Sequence, residues 1–119
     1  MKATLIAMMV ITSTLVLAQK REMDPEGRAQ KLTERMEKEL ALDNEQTEKV
    51  LDVNLQTLTR LAQVRTEVDR SEFREAAKDI LDQQDAQLLD ILNQKQWQDY
   101  VEMKEAFKKE RQGSRSGGL

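Results

Sequence analysis

A chain of 119 residues is long enough for one domain and too short for two. Charged residues make up 34% and aromatics 3%, with 4 Gly and 1 Pro, a composition that suits long exposed helices and excludes turn-rich sandwiches and barrels. With Cys 0 and His 0, disulfides, thiol or histidine catalysis, zinc fingers and Glu-x-x-His metal pairs are all excluded, and any metal site would be carboxylate-only and weak.

Residues 1–18 have the pattern of an export signal. Lys2 supplies the positive end, Ala3 to Leu17 the apolar run and Val16-Leu17-Ala18 the small-residue cleavage site, so the mature chain is expected to start at Gln19 in the periplasm. The run falls short of the roughly 20 residues of a spanning helix. Lys20 and Arg21 directly after the site leave an uncleaved anchor as the alternative. Losing Lys2 with the signal reduces the 19 basic groups by one against 22 acidic groups, a net of −4. That balance argues against nucleic acid as a partner and against strong adhesion to anionic lipid.

Residues 19–24 read as a flexible lead-in. Asp24-Pro25-Glu26 then combines a capping acid, proline at the first helical position and a second acid at the positive end of the helix dipole. A helix over 25–41 follows, with Ala29, Leu32, Met36 and Leu40 as its apolar stripe. Next comes a box, Leu42-Asp43-Asn44-Glu45-Gln46, in which Asp43 can cap the free amides and Gln46 can reach back to the cap residue's own N–H.

This box launches a second helix, over 43–69, whose seam runs Thr47, Val50/Leu51, Asn54, Leu58, Leu61, Arg65 and Val68. Val53 and Val64 lie on one flank of that seam, with Leu55 and Ala62 on the other. Together these positions cover about 200° of the helix wheel, beyond the roughly 100° that one buried face needs. A surface outside the protomer core is expected to cover the surplus.

A turn is expected at Asp69-Arg70-Ser71, with Ser71 as the next cap and a bent continuous helix as the alternative. The third helix, over 72–92, turns Phe73, Ala76/Ala77, Ile80, Gln84, Leu88 and Ile91 inward. Leu81 and Leu92 widen that stripe, and Leu89 falls off it. A second box, Leu92-Asn93-Gln94-Lys95-Gln96, repeats the first and starts a fourth helix over 93–111 with Trp97, Tyr100, Val101, Met103 and Phe107. Residues 112–119, rich in Gly and Ser, read as a flexible tail.

Nothing in this pattern is catalytic. The acids Glu34, Glu37 and Glu39, and Glu102 with Glu105, fall on solvent faces rather than in a shielded pair. Trp97, Tyr100 and Phe107 have core spacing, and Met36 and Met103 are soft gap-fillers that would also suit a surface for varied partners. No cofactor is expected.

Two boxes of leucine, capping residue, two variable residues and glutamine in an exported, cysteine-free, all-helical chain resemble the Spy/CpxP family of periplasmic proteins, named for a repeated LTxxQ motif. Leu42 and Gln46 match the first copy, and Leu92 and Gln96 the second; Asp43 and Asn93 replace the threonine and keep its capping ability. The likeness covers residues 28–111 and includes Trp97-Gln98-Asp99-Tyr100. It implies an all-α fold, a four-helix elongated hairpin completed by antiparallel homodimerisation, that holds unfolded client proteins without ATP under envelope stress. Some members instead restrain a membrane sensor kinase. The chaperone members have a basic concave face, whereas this chain is net acidic, and zinc-binding relatives use histidines that are absent here.

The expected function is therefore an ATP-independent periplasmic holdase. Its alternatives are a regulatory partner of a sensor domain and a structural helical spacer. Candidate client or dimer contacts are Met36, Leu40, Val53, Leu55, Val64 and Leu89.

Overall fold

Acid and amide caps divide the chain into its helices. The computed structural model describes residues 24–117, with side chains through residue 113, and the expected signal segment lies outside the described residues. The described chain is all-α: α1 (Pro25–Leu40), α2 (Asn44–Glu67), α3 (Arg70–Ile91) and α4 (Gln94–Gly117). No described helix is long and apolar enough to cross a membrane.

Asp24 Oδ1 accepts from the Gly27 amide at 2.8 Å, and Pro25 fills the first position of α1, where a missing N–H costs nothing. At α2 the capping box is complete. Asp43 Oδ1 accepts from the Gln46 amide at 2.7 Å, and Gln46 Oε1 accepts from the Asp43 amide at 3.1 Å. The same pair of bonds opens α4, from the Gln96 amide to Asn93 Oδ1 at 2.8 Å and from the Asn93 amide to Gln96 Oε1 at 3.0 Å.

Two expected boundaries are corrected. The turn before α3 is capped by Asp69 rather than Ser71: Asp69 Oδ1 accepts from the Glu72 amide at 3.0 Å, and the Ser71 hydroxyl donates to the same oxygen at 3.0 Å. An acceptor-only carboxylate serves both donors, and those bonds, the Glu72 amide first, hold its pKa below the ordinary aspartate range. The helix break itself is real, with Val68 and Asp69 extended between α2 and α3. The fourth helix continues to Gly117 instead of ending near 111. No proline removes an amide from this stretch, and isolated glycines weaken a helix by about 1 kcal/mol each without forbidding it.

Packing follows the chain: α1 lies on α2, α2 on α3, and α4 returns to α1. The core joins Met36 and Leu40 of α1, Leu42 of the first box, Val50 and Val53 of α2, Leu88 of α3, Leu92 of the second box, and Tyr100 and Met103 of α4. Through its centre runs a polar bridge. Asn54, fully buried, donates from Nδ2 to Thr33 Oγ1 at 2.9 Å and accepts at Oδ1 from Gln84 Nε2 at 2.9 Å, so one side chain ties α2 to both neighbours. Its amide is satisfied at both ends, as burial demands.

Candidate functional site

The two boxes do more than start helices. Gln46 Nε2 donates to Gln96 Oε1 at 2.7 Å, and Gln96 Nε2 donates back to Gln46 Oε1 at 3.0 Å. Each glutamine also donates across to the end of the helix that precedes the other box: Gln46 to the Ile91 carbonyl at 3.2 Å and Gln96 to the Ala41 carbonyl at 3.3 Å. Ala41 sits in the left-handed region at φ 55, a conformation that costs a non-glycine residue about 1–2 kcal/mol, and the clasp binds its carbonyl. Leu42 and Leu92, the residues ahead of the caps, are buried in the core. Local two-fold symmetry thus relates the boxes, and the two glutamines are its centre.

Away from the boxes the symmetry breaks. Residues of α4 correspond to residues of α2 at an offset of fifty, the separation of the paired glutamines. Tyr100 and Met103 stand where α2 has Val50 and Val53, and all are buried. On the adjoining stripe, however, Lys104, Lys108 and Arg111 stand where α2 has Asn54, Leu58 and Leu61. That stripe of α2 is covered down to Leu58; the three cations of α4 remain exposed, since long charged side chains are costly to bury. α4 packs on α1, with the Arg35 guanidinium 4.1 Å from the Phe107 ring centroid. It reaches α3 through Asp85, which accepts from the Tyr100 hydroxyl at 2.8 Å and from Lys104 Nζ at 2.6 Å. Burial, then the Asp85 carboxylate, pushes the Tyr100 phenol well above its ordinary pKa, so it stays a donor.

Beyond this hook lies an open groove of about 500 Å³ bounded by α1, α3 and α4. Its wall is apolar, formed by Leu32, Leu81, Tyr100, Met103 and Phe107, and Lys104, Lys108 and Arg111 line one edge. A second hollow of about 940 Å³ shares Leu81, Lys104 and Arg111 and adds Arg65, Arg70, Arg74 and Lys78, with Asp82 paired to Lys78 and Asp85 to Lys104, so that cations outnumber acids on its lining. A chain that is acidic in total therefore concentrates cations around its open apolar face. Among the described residues no group of three or more acids is placed to hold a metal ion.

Residues 17–100 match the family described as Domain of unknown function (DUF4890), a span longer than half of the chain. The chain belongs to this family. No curated protein and no solved structure matches it. The DUF4890 span contains both boxes and the Tyr100 hook and ends before Lys104, Lys108 and Arg111. The clasp is thus inside the family pattern, and the cationic edge follows it.

In this DUF4890 chain the expected contact residues separate into three groups. Met36, Leu40 and Val53 are 0%, 2% and 6% exposed and are withdrawn as contact candidates, because α1, α2 and α4 enclose them in the protomer core. Leu55 and Val64 are half-buried on α2. Leu89 is open, at 53% exposure, and is joined by Leu81 at 43% and Val101 at 41%. Val101, named among the apolar residues of the fourth helix, faces solvent because its neighbours Tyr100 and Met103 already fill the inward positions. The groove itself was not foreseen. Its signal was the fifty-residue offset, which places lysines and an arginine opposite core positions of the first copy.

Proposed function

We propose that this protein is an ATP-independent holdase of the periplasm, of the Spy/CpxP kind, which binds partly unfolded chains without making or breaking a bond. The observation that carries this reading is the open apolar groove edged by Lys104, Lys108 and Arg111, in a protomer whose buried polar side chains are all satisfied among the described residues. Exposed Leu81, Leu89 and Val101 extend the apolar surface. Client side chains dock there, while their backbone stays at the solvent edge, where it keeps its hydrogen bonds to water.

The test is aggregation of a reduced or heated client followed by light scattering. Equimolar mature protein is expected to delay aggregation, and Leu81→Asp with Leu89→Asp to remove most of that delay. Absence of any delay by the parent protein overturns the reading.

The basic hollow at Arg65, Arg70, Arg74 and Lys78 favours a second reading, docking on an acidic surface of a membrane sensor domain. That reading predicts one saturable partner in a pull-down from envelope extract, where a holdase captures many weak ones.

A further inference from the structure

We propose that the groove between α1, α3 and α4 is a binding site for a single-chain carboxylate amphiphile, a medium or long acyl chain with an anionic head. Its volume of about 500 Å³ falls in the range of small-molecule sites, roughly 300–1,000 Å³. The wall is formed by Leu32, Leu81, Met103 and Phe107, and the side-chain donors of its uncharged polar members are directed elsewhere: Gln84 Nε2 donates to Asn54, and the Tyr100 hydroxyl donates to Asp85. A buried peptide backbone would find few partners on this wall, whereas an acyl chain needs none.

The head group is specified by charge. Lys104, Lys108 and Arg111 follow one another at four- and three-residue spacing on α4, directly beside the apolar stripe of Tyr100, Met103 and Phe107. Lys104 is shared with Asp85, while Lys108 and Arg111 form no ion pair among the described residues. A carboxylate at the mouth therefore meets two uncommitted cations, and a cationic or neutral head does not gain that interaction.

This inference rests on the same groove as the holdase reading but not on client binding. Titration calorimetry of the purified protein with dodecanoate, below its micelle threshold, is expected to show saturable binding. Affinity should fall about threefold for each methylene removed toward octanoate, as burial of a chain requires. Lys108→Glu with Arg111→Glu should weaken dodecanoate about tenfold, as should replacing the carboxylate by the alcohol. Leu81→Asp, on an exposed position, should abolish binding while leaving the helical circular dichroism unchanged. No saturable binding by the parent, equal binding by the charge-reversed protein, or equal binding of dodecyltrimethylammonium would overturn the proposal. Scattering measures client holding separately, so either activity can fail alone.

Discussion

Two helix pairs leave two nearly identical boxes and end in opposite states. α1 and α2 close on a fully buried asparagine bonded to Thr33, whereas α3 and α4 touch through the Asp85 hook and otherwise leave a groove. Equivalent starts therefore do not impose equivalent packing. A cap fixes where a helix begins and its first direction, but whether the next helix lies on it depends on the stripe it offers. In α2 that stripe is Asn54, Leu58 and Leu61; in α4 the same positions are Lys104, Lys108 and Arg111. Where α2 offers packing side chains on this stripe α4 offers charge, which is costly to bury, and the face beside it stays open.

The contrast is broken most severely at the clasp. Gln96→Ala leaves the Asn93 amide and the Ala41 carbonyl without their side-chain partner and removes one of the two bonds at each end of the Gln46 amide, which keeps the Ile91 carbonyl and the Asp43 amide, and should cost about 2 kcal/mol in urea unfolding. Adding Gln46→Ala should cost less than the sum of the two single changes, and additivity would mean that the glutamines do not act as a pair.

At the hook, Tyr100→Phe should cost about 1 kcal/mol, since Asp85 keeps Lys104 as a partner. The raised Tyr100 pKa adds a pH signature: folded above unfolded, its contribution is complete below about pH 10 and is lost as pH rises beyond that value. Melting curves across the alkaline range should therefore be less pH-sensitive for Tyr100→Phe than for the parent protein.

The caps are smaller still. Asp43→Ala should lower stability by roughly 1 kcal/mol or less through loss of the bond to the Gln46 amide, and an unchanged thermal midpoint would show that this bond does not support α2. Least of all, Leu89→Ser on the open side of α3 should change stability by less than about 0.5 kcal/mol. A larger loss would place Leu89 in a covered interface and sharpen the distinction between the two faces.

Much of the fold was legible residue by residue. Asp24, Asp43 and Asn93 act as caps because short polar side chains bond nearby amides without help from the rest of the chain, and each box is read from five consecutive residues. Asn54 and Gln84 were placed on inward seams by spacing alone, but their mutual bond was not visible, because period says which way a side chain points and not what it meets. Met36, Leu40 and Val53 show the same limit. Spacing placed Met36 and Leu40 on an apolar stripe and Val53 on the flank of another, yet spacing could not assign them to the protomer core or to a partner.

By itself the sequence determined what is local: an all-α chain, its helix starts, its apolar stripes and the doubled box. Tertiary structure alone decided which stripes are used. The reciprocal Gln46–Gln96 bonds join residues fifty positions apart, and the groove lies where α4 settles on α1 and α3 on α2, with Asp85 as the hook between α3 and α4. Those outcomes depend on competition among helices for the same surfaces, a balance of burial against desolvated charge that no single segment carries.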